Sequence, residues 1–277
     1  MPTEQSGHSS PPPPSPPPPP PSAIPILRIE RLRKQFGGIV AVDVERLDVA
    51  RGTITALVGP NGAGKTTLFN LVCGFDRPQS GSWFFDGRDV SGRPAHRIAR
   101  SGMIRTFQLT KALSKMSVLD NMLVAGAAQR GEHLLSGLVP PTWRSQERAL
   151  VDRAAVMLER FELDRMASEY AGTLSGGQRK LLELARALMA EPSMLLLDEP
   201  TAGVNPVLVQ SILTHVLALR DDGMTILFVE HNMDVVMSIS GRVVCMAEGR
   251  VIADGSPDAV AADDAVIDAY LGRRREA

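Results

Sequence analysis

GPNGAGKT, residues 59–66, decides how the rest of this chain is read. It follows TITALV, an apolar run of strand length, and leads into TLFNLVCGF, whose apolar residues recur with helical period. A glycine-rich turn between a buried strand and a helix fits G-x-x-x-x-G-K-[ST] in the context that gives the pattern meaning. Gly59, Gly62 and Gly64, with Pro60, Asn61 and Ala63 between them, let successive backbone N–H groups turn toward one anion, and the helix that begins there adds its positive end. Lys65 is placed to neutralise the β- and γ-phosphates of a nucleotide, and the Thr66 hydroxyl to reach a Mg²⁺ ion.

A phosphate site also needs a metal anchor and a group that orients water. MLLLDE, residues 194–199, is an apolar strand ending in Asp198 and Glu199, which sets two carboxylates at the edge where open α/β sheets bind ligands. Asp198 is expected to hold Mg²⁺ through its water shell, and Glu199 to polarise the attacking water. His231 is read as the end of the next apolar strand, TILFVEH, so its imidazole projects at the same edge if that strand is a neighbour. By position alone His231 is as well explained as a hydrogen-bonded strand end, and Gln108, in RTFQ, as polar loop surface. TLSGGQRK, residues 173–180, opens a second helix with Ser175, Gly176 and Gly177, again backbone donors plus a hydroxyl for an anion. The phosphate loop already cradles the nucleotide, so the target of this second device is a nucleotide held by another copy.

The chain has 277 residues, 44% hydrophobic and 22% charged, with 31 acidic against 30 basic side chains. That balance lacks the basic excess that phosphate backbones attract, so nucleic acid is not an expected partner. Cys73 and Cys245 stand alone, without the C-x-x-C spacing of a zinc site or a disulfide framework, which fits a reducing compartment. No apolar run approaches the roughly 18 residues of a membrane helix, and no secretory signal opens the chain, so any membrane role needs a partner.

Residues 1–25 contain PPPPSPPPPPP and read as a disordered polyproline rod. ILRIERLRKQF and AVDVERLDV alternate like strands of a half-buried antiparallel sheet, and GSWFFDGRDV reads as a hairpin with an Asp-Gly turn. Residues 113–170 read as helical, with Leu150, Ala154, Met157, Leu158 and Phe161 on one face. From residue 180 onward the order is helix, strand, helix, strand, helix, strand and a short final helix near Asp264 to Leu271. Alternating helices and continuous aliphatic strands imply a parallel sheet covered on both faces.

The pattern resembles the ATP-binding-cassette ATPases from about Ile26 to Leu271. In the family's order, GPNGAGKTT, ending at Thr67, is Walker A, Gln108 the Q-loop, LSGGQ at 174–178 (closing on Gln178) the signature, MLLLDEP Walker B, and His231 the switch histidine. The resemblance implies an α/β fold: a P-loop NTPase, RecA-like core, an antiparallel β subdomain and an inserted helical subdomain at about 109–172, with residues 272–277 a tail. It further implies ATP and Mg²⁺ as cofactors, with Gln108 contributing to both the metal and the catalytic step, and His231 to catalysis. Two such domains pair head to tail, identical or related, so that Ser175 to Gln178 act in trans. Phe36 takes the place of an adenine-stacking tyrosine, keeping the π face. Ala202-Gly203-Val204-Asn205 departs from the usual S-A-L-D, removing the carboxylate of the D-loop.

Within that family, GMIRTFQ, LSKMSVLDNMLVA, the insertion 126–146, AGVNP and DDAVIDAYLG are similar to the ATP-binding subunits of branched-chain amino-acid importers. Similar subunits serve urea or short amides, or drive lipopolysaccharide export; soluble non-transport ATPases of the same fold usually carry paired cassettes, coiled coils or zinc modules. The importer resemblance implies transmembrane permease subunits as direct partners, with Leu109, Leu113 and Met116 as candidate contacts that a buried helix face explains about as well, and a periplasmic solute-binding protein as an indirect one. It places the chain in the cytoplasm, peripheral on the inner face of the cell membrane.

Overall fold

The computed structural model describes residues 24–106, 113–126 and 141–271. Residues 1–23 of the proline-rich segment, Gln108, Leu109, residues 127–140 of the 126–146 insertion and residues 272–277 lie outside the described residues. Two sheets carry the chain. Strands β1 (Leu27–Phe36), β2 (Ile39–Val49), β4 (Ser80–Phe85) and β5 (Arg88–Asp89) form an antiparallel sheet in the order β2-β1-β4-β5. The β4–β5 hairpin turns at Asp86 and Gly87, both with positive φ (52° and 72°), as a tight Asp-Gly turn requires. The second sheet runs β10 (Arg250–Gly255), β9 (Arg242–Ala247), β3 (Ile54–Val58), β8 (Thr225–Val229), β7 (Met194–Asp198), β6 (Met103–Arg105). All its neighbours are parallel except β10 against β9.

Parallel strands with no solvent face explain the unbroken aliphatic runs, and the pleat divides each run between two cores. Ala56, Leu195, Leu197, Ile226, Phe228 and Val243 point to one side. There they meet α4 (Pro141–Arg160), α5 (Gly176–Leu188) and α6 (Pro206–Asp221), including the predicted stripe of Ala154, Leu158 and Phe161. Leu57, Met194, Leu196, Leu227 and Val244 point to the other, against α1 (Lys65–Val72) and the inner face of the antiparallel sheet, where Trp83 and Phe85 are fully buried. Helices α1 and α5 therefore lie on opposite faces of the parallel sheet.

Several short elements depart from the sequence reading. Helix α2 (Ala95–Arg100) and strand β6 precede residue 108, and β10 and α8 (Pro257–Ala261) precede the last helix, α9 (Asp264–Leu271). Helix α3 (Val118–Val124) and α7 (Met233–Ile239) complete the helices named here. Three residues of β6, or five of α8, are too few for a period to show. Strand β8 stops at Val229, so His231 stands two residues beyond the strand rather than ending it.

Candidate functional site

Strands β3, β7 and β8 are adjacent and parallel, so the loops leaving their carboxyl ends converge on one edge. The first is residues 59–64. Gly59 (φ 144°) and Gly64 (φ 99°) are held where a side chain cannot go: a Cβ would fall 2.1 Å from the Met246 carbonyl oxygen at Gly59, and 2.1 Å from that of Ala41 at Gly64. Gly64 also caps α1 without any side-chain hydrogen bond. The first-turn N–H groups of α1 have no intrahelical acceptor, so they and the positive helix end remain for a bound anion. Asn61 and Gly62 are exposed, Pro60 and Thr67 half-buried, and Ala63 buried, which turns the tip of the loop outward.

Lys65 is 6% exposed and folds back, its Nζ donating to the carbonyls of Gly59 (2.7 Å) and Pro60 (3.0 Å). Burial pushes its ammonium below the usual lysine range, opposed by the negative charges of Glu199 and Asp198. A desolvated cation beside uncapped donors suits a phosphate. Thr66 is exposed on the first turn of α1. Cys245 is a buried thiol pushed up to about 11, and Cys73 one pushed up to about 12, so neither supplies a thiolate here.

Asp198 closes β7, level with Val229 of β8. Its Oδ2 accepts from Arg105 Nη2 at 2.5 Å, while Arg105 Nη1 donates to Asn70 Oδ1 at 2.6 Å and the guanidinium lies 5.6 Å from the Phe69 ring centroid. Glu199 follows with φ 48°, its N–H given to the Val229 carbonyl at 3.0 Å, so the chain bends away as the carboxylate turns to the edge. Glu199 Oε1 lies 3.1 Å from His231 Nε2. Lys65, Asp198, Glu199 and His231 are thus gathered on one edge. Gln108 lies outside the described residues.

Ser175 and Gly176 are exposed at the start of α5, across the sheet from α1. Ser175 Oγ accepts the Gln178 N–H at 3.3 Å and Gln178 Oε1 accepts the Ser175 N–H at 2.9 Å, a reciprocal capping box. Gly177 is buried against Leu208 of α6, where a Cβ would come within 2.4 Å of its side chain. Asn205, which replaces the D-loop carboxylate, caps α6 by accepting the Leu208 N–H at 3.0 Å. Phe36 is 51% exposed, so it is not a core residue, and Lys34 Nζ lies 4.7 Å from its ring centroid. Leu113 and Met116 are half-buried.

Sequence reasoning missed four residues. Arg105 and Glu230 meet partners that are remote in the chain; Thr201, two residues past Glu199, and Glu230 belong to a buried cluster; and Tyr270 of α9 uses its hydroxyl to accept the Gly59 N–H at 2.9 Å. The S-x-x-Q of the capping box was readable as a helix start, whereas these long-range pairs leave no local signal.

The donor set fits Mg-ATP. Among the described residues no group of three or more His, Cys, Asp or Glu could hold a metal by itself. Mg²⁺ bound with a nucleotide needs no such cage, because phosphates and water supply most of its shell and one carboxylate suffices. Among the described residues no helix is long and apolar enough to cross a membrane.

Known proteins share this pattern. A family model described as ABC transporter matches residues 43–202, and one described as branched-chain amino acid ATP-binding cassette transporter matches residues 250–276. The chain is 42% identical over 249 residues to a probable branched-chain amino acid transport ATP-binding protein of Archaeoglobus fulgidus, covering 89% of this chain and 95% of that protein. It is 41% identical over 250 residues to a high-affinity branched-chain amino acid transport ATP-binding protein of Pseudomonas aeruginosa, with coverages of 90% and 98%. The crystal structure of an ATP-binding cassette of an ABC transporter in its ADP conformation matches with a TM-score of 0.80 and 37% identity, over 90% of this chain and 100% of that one.

Proposed function

The chain belongs to the ABC transporter family as an ATP-binding cassette ATPase, and from that membership we propose that it energises a membrane importer of branched-chain amino acids. The observation that carries the catalytic reading is the convergence of Lys65, Asp198, Glu199 and His231 beside the uncapped start of α1. In this reading the loop from Gly59 to Thr67 binds the phosphates through backbone N–H groups, and Lys65 exchanges its two carbonyl acceptors for the β- and γ-phosphate oxygens. Thr66, Asp198 and Gln108 would hold Mg²⁺, which would neutralise charge on the phosphates. Phe36 offers its exposed ring to adenine.

Hydrolysis is in-line attack of water on the γ-phosphorus, the bond to the β,γ-bridging oxygen breaking as the new P–O bond forms and ADP leaving. Glu199 accepts a proton from that water, and the imidazole beside it keeps the carboxylate aimed and faces the γ-phosphate. Because α1 and α5 flank opposite faces of the sheet, the donors of Ser175 to Gln178 serve a nucleotide held by a second cassette, identical or related. Closure of that pair drives permease subunits, supplied in turn by a periplasmic binding protein. The chain then sits in the cytoplasm against the inner face of the membrane, residues 26–271 forming the cassette with its helical insertion at about 109–172.

Glu199→Gln tests the chemistry. Phosphate release should fall by a hundredfold or so while ATP binding persists; full turnover removes Glu199 from the role of base. The solute is tested by uptake of labelled leucine in cells lacking this chain, restored by the wild type and not by Glu199→Gln. Leucine uptake that is unaffected by loss of the chain overturns the solute assignment.

A further inference from the structure

Glu230 takes no part in the steps above, yet it is a carboxylate 3% exposed, one residue from His231. Burial at that depth is costly unless donors replace water. Three do. Glu230 Oε1 accepts from the Thr201 N–H at 3.0 Å and from Thr201 Oγ1 at 2.5 Å, and Oε2 accepts from the His231 N–H at 3.1 Å. Thr201 is itself buried, 8% exposed, two residues beyond Glu199. One carboxylate thus grips both loops that leave β7 and β8, with one oxygen committed to each.

The same two loops meet again nearer solvent, where His231 Nε2 lies 3.1 Å from Glu199 Oε1. The exposed pair is the reactive one; the buried carboxylate sets where its two backbones stand. Glu199 also holds a positive φ of 48°, a conformation that an ordinary residue keeps only when its surroundings over-determine it. The Val229 carbonyl fixes its N–H, and Glu230 fixes the chain two residues on.

We propose that Glu230 is a positioning residue of the hydrolytic centre, its carboxylate bracing Thr201 and the His231 main chain so that Glu199 and the imidazole are held at reacting distance. The proposal rests on the roles assigned to Glu199 and His231. Glu230 touches neither the phosphate loop nor Lys65 among its hydrogen bonds, so its effect falls on turnover and not on nucleotide affinity.

The chemistry of the bracket makes it testable with near-isosteric changes. A glutamine at 230 keeps one acceptor oxygen, but its amide nitrogen then faces a donor, either the His231 N–H or the Thr201 pair. Thr201→Val removes only the hydroxyl donor, and Thr201→Ser keeps it. In the full chain, Glu230→Gln should lower kcat for ATP about tenfold or more, with KM and the affinity for a fluorescent ATP analogue within about twofold of wild type. Thr201→Val should lower kcat by a smaller factor and Thr201→Ser should restore it. The Glu230→Gln/Thr201→Val double variant should lose less than the product of the two single effects, because both act through one bracket. Unchanged kcat in folded Glu230→Gln overturns the proposal, as does a loss carried by KM and nucleotide affinity. If Glu230→Gln does not fold, the Val and Ser variants at 201 decide by the same split, and equal kcat in the two overturns it. Failure of the underlying roles is read separately, as full turnover in Glu199→Gln.

Discussion

Two helix starts in this molecule, α1 at Gly64–Lys65 and α5 at Ser175–Gly176, are both rich in small residues and both read as anion sites, yet they treat their own donors differently. Helix α1 has no side-chain cap, and the glycine before it is pinned by neighbouring backbone at a φ of 99° that suits glycine alone. Helix α5 caps itself reciprocally through Ser175 and Gln178, while a Cβ at Gly176 would meet only the Gly203 carbonyl oxygen, at 3.8 Å. The first start is set by the chain's own fold, which pins Gly64 and leaves the N–H groups of its first turn without side-chain partners. The second is finished as a helix but open as a surface, the state expected of a device that waits for another subunit. In both, the serine or glycine is there for backbone geometry as much as for chemistry: the Ser175 hydroxyl accepts within the cap and keeps its proton to donate outward.

The same substitution at the two starts should therefore break the molecule in different ways. Gly64→Ala puts a Cβ into the Ala41 carbonyl at φ 99°, and is expected to cost at least about 2 kcal/mol of stability as well as nucleotide binding, read by thermal melts and ATP titration. Gly176→Ala should leave the melting temperature nearly unchanged and reduce hydrolysis alone; a large loss of stability there would erase the contrast. Next in size, Ser175→Ala should remove a cap worth about 1 kcal/mol and lower turnover, without weakening binding of ATP to the isolated chain. Weakened binding in the monomer would mean that the signature acts within its own chain.

The smallest expected effect sharpens the contrast through pH. Glu183, on the second turn of α5, is pushed up to about 7, first by burial and further by Asp198, against the pull of Lys180 and Arg186. A carboxyl raised in the folded state binds more protons than in the unfolded chain, so its contribution to stability falls as pH climbs from the ordinary carboxyl range to about 7. Glu183→Gln should accordingly stabilise the protein at pH 8, by about 1 kcal/mol or some 2–4 °C in Tm, and by less at pH 6. Equal stabilisation at both values would show that titration of Glu183 is not the cause.

Much of the architecture was readable from local pattern. The phosphate loop announced the strand before it and the helix after it, and MLLLD announced a buried parallel strand, because an element with no solvent face must be apolar at every position. Asp86-Gly87 announced its hairpin for an equally local reason. Strand β6 and helix α8 escaped because they are short, and His231 was assigned to a strand that ends at Val229 because apolar pattern cannot tell where a ladder stops. At the site, Lys65, Asp198 and Glu199 were readable from motif context, whereas the value of His231 depended on which strand lay beside β7.

The sequence by itself determined the longer elements and the candidate groups Lys65, Asp198 and Glu199, since strand, helix, turn and phosphate loop each follow from residues within a few positions of one another. Tertiary structure alone decided that Arg105 meets Asp198, that Tyr270 meets Gly59, and that Glu230 braces Thr201 beside His231. Those contacts span 93, 211 and 29 residues of chain. They arise from the order in which strands pair, an outcome of packing the whole core that no local pattern encodes.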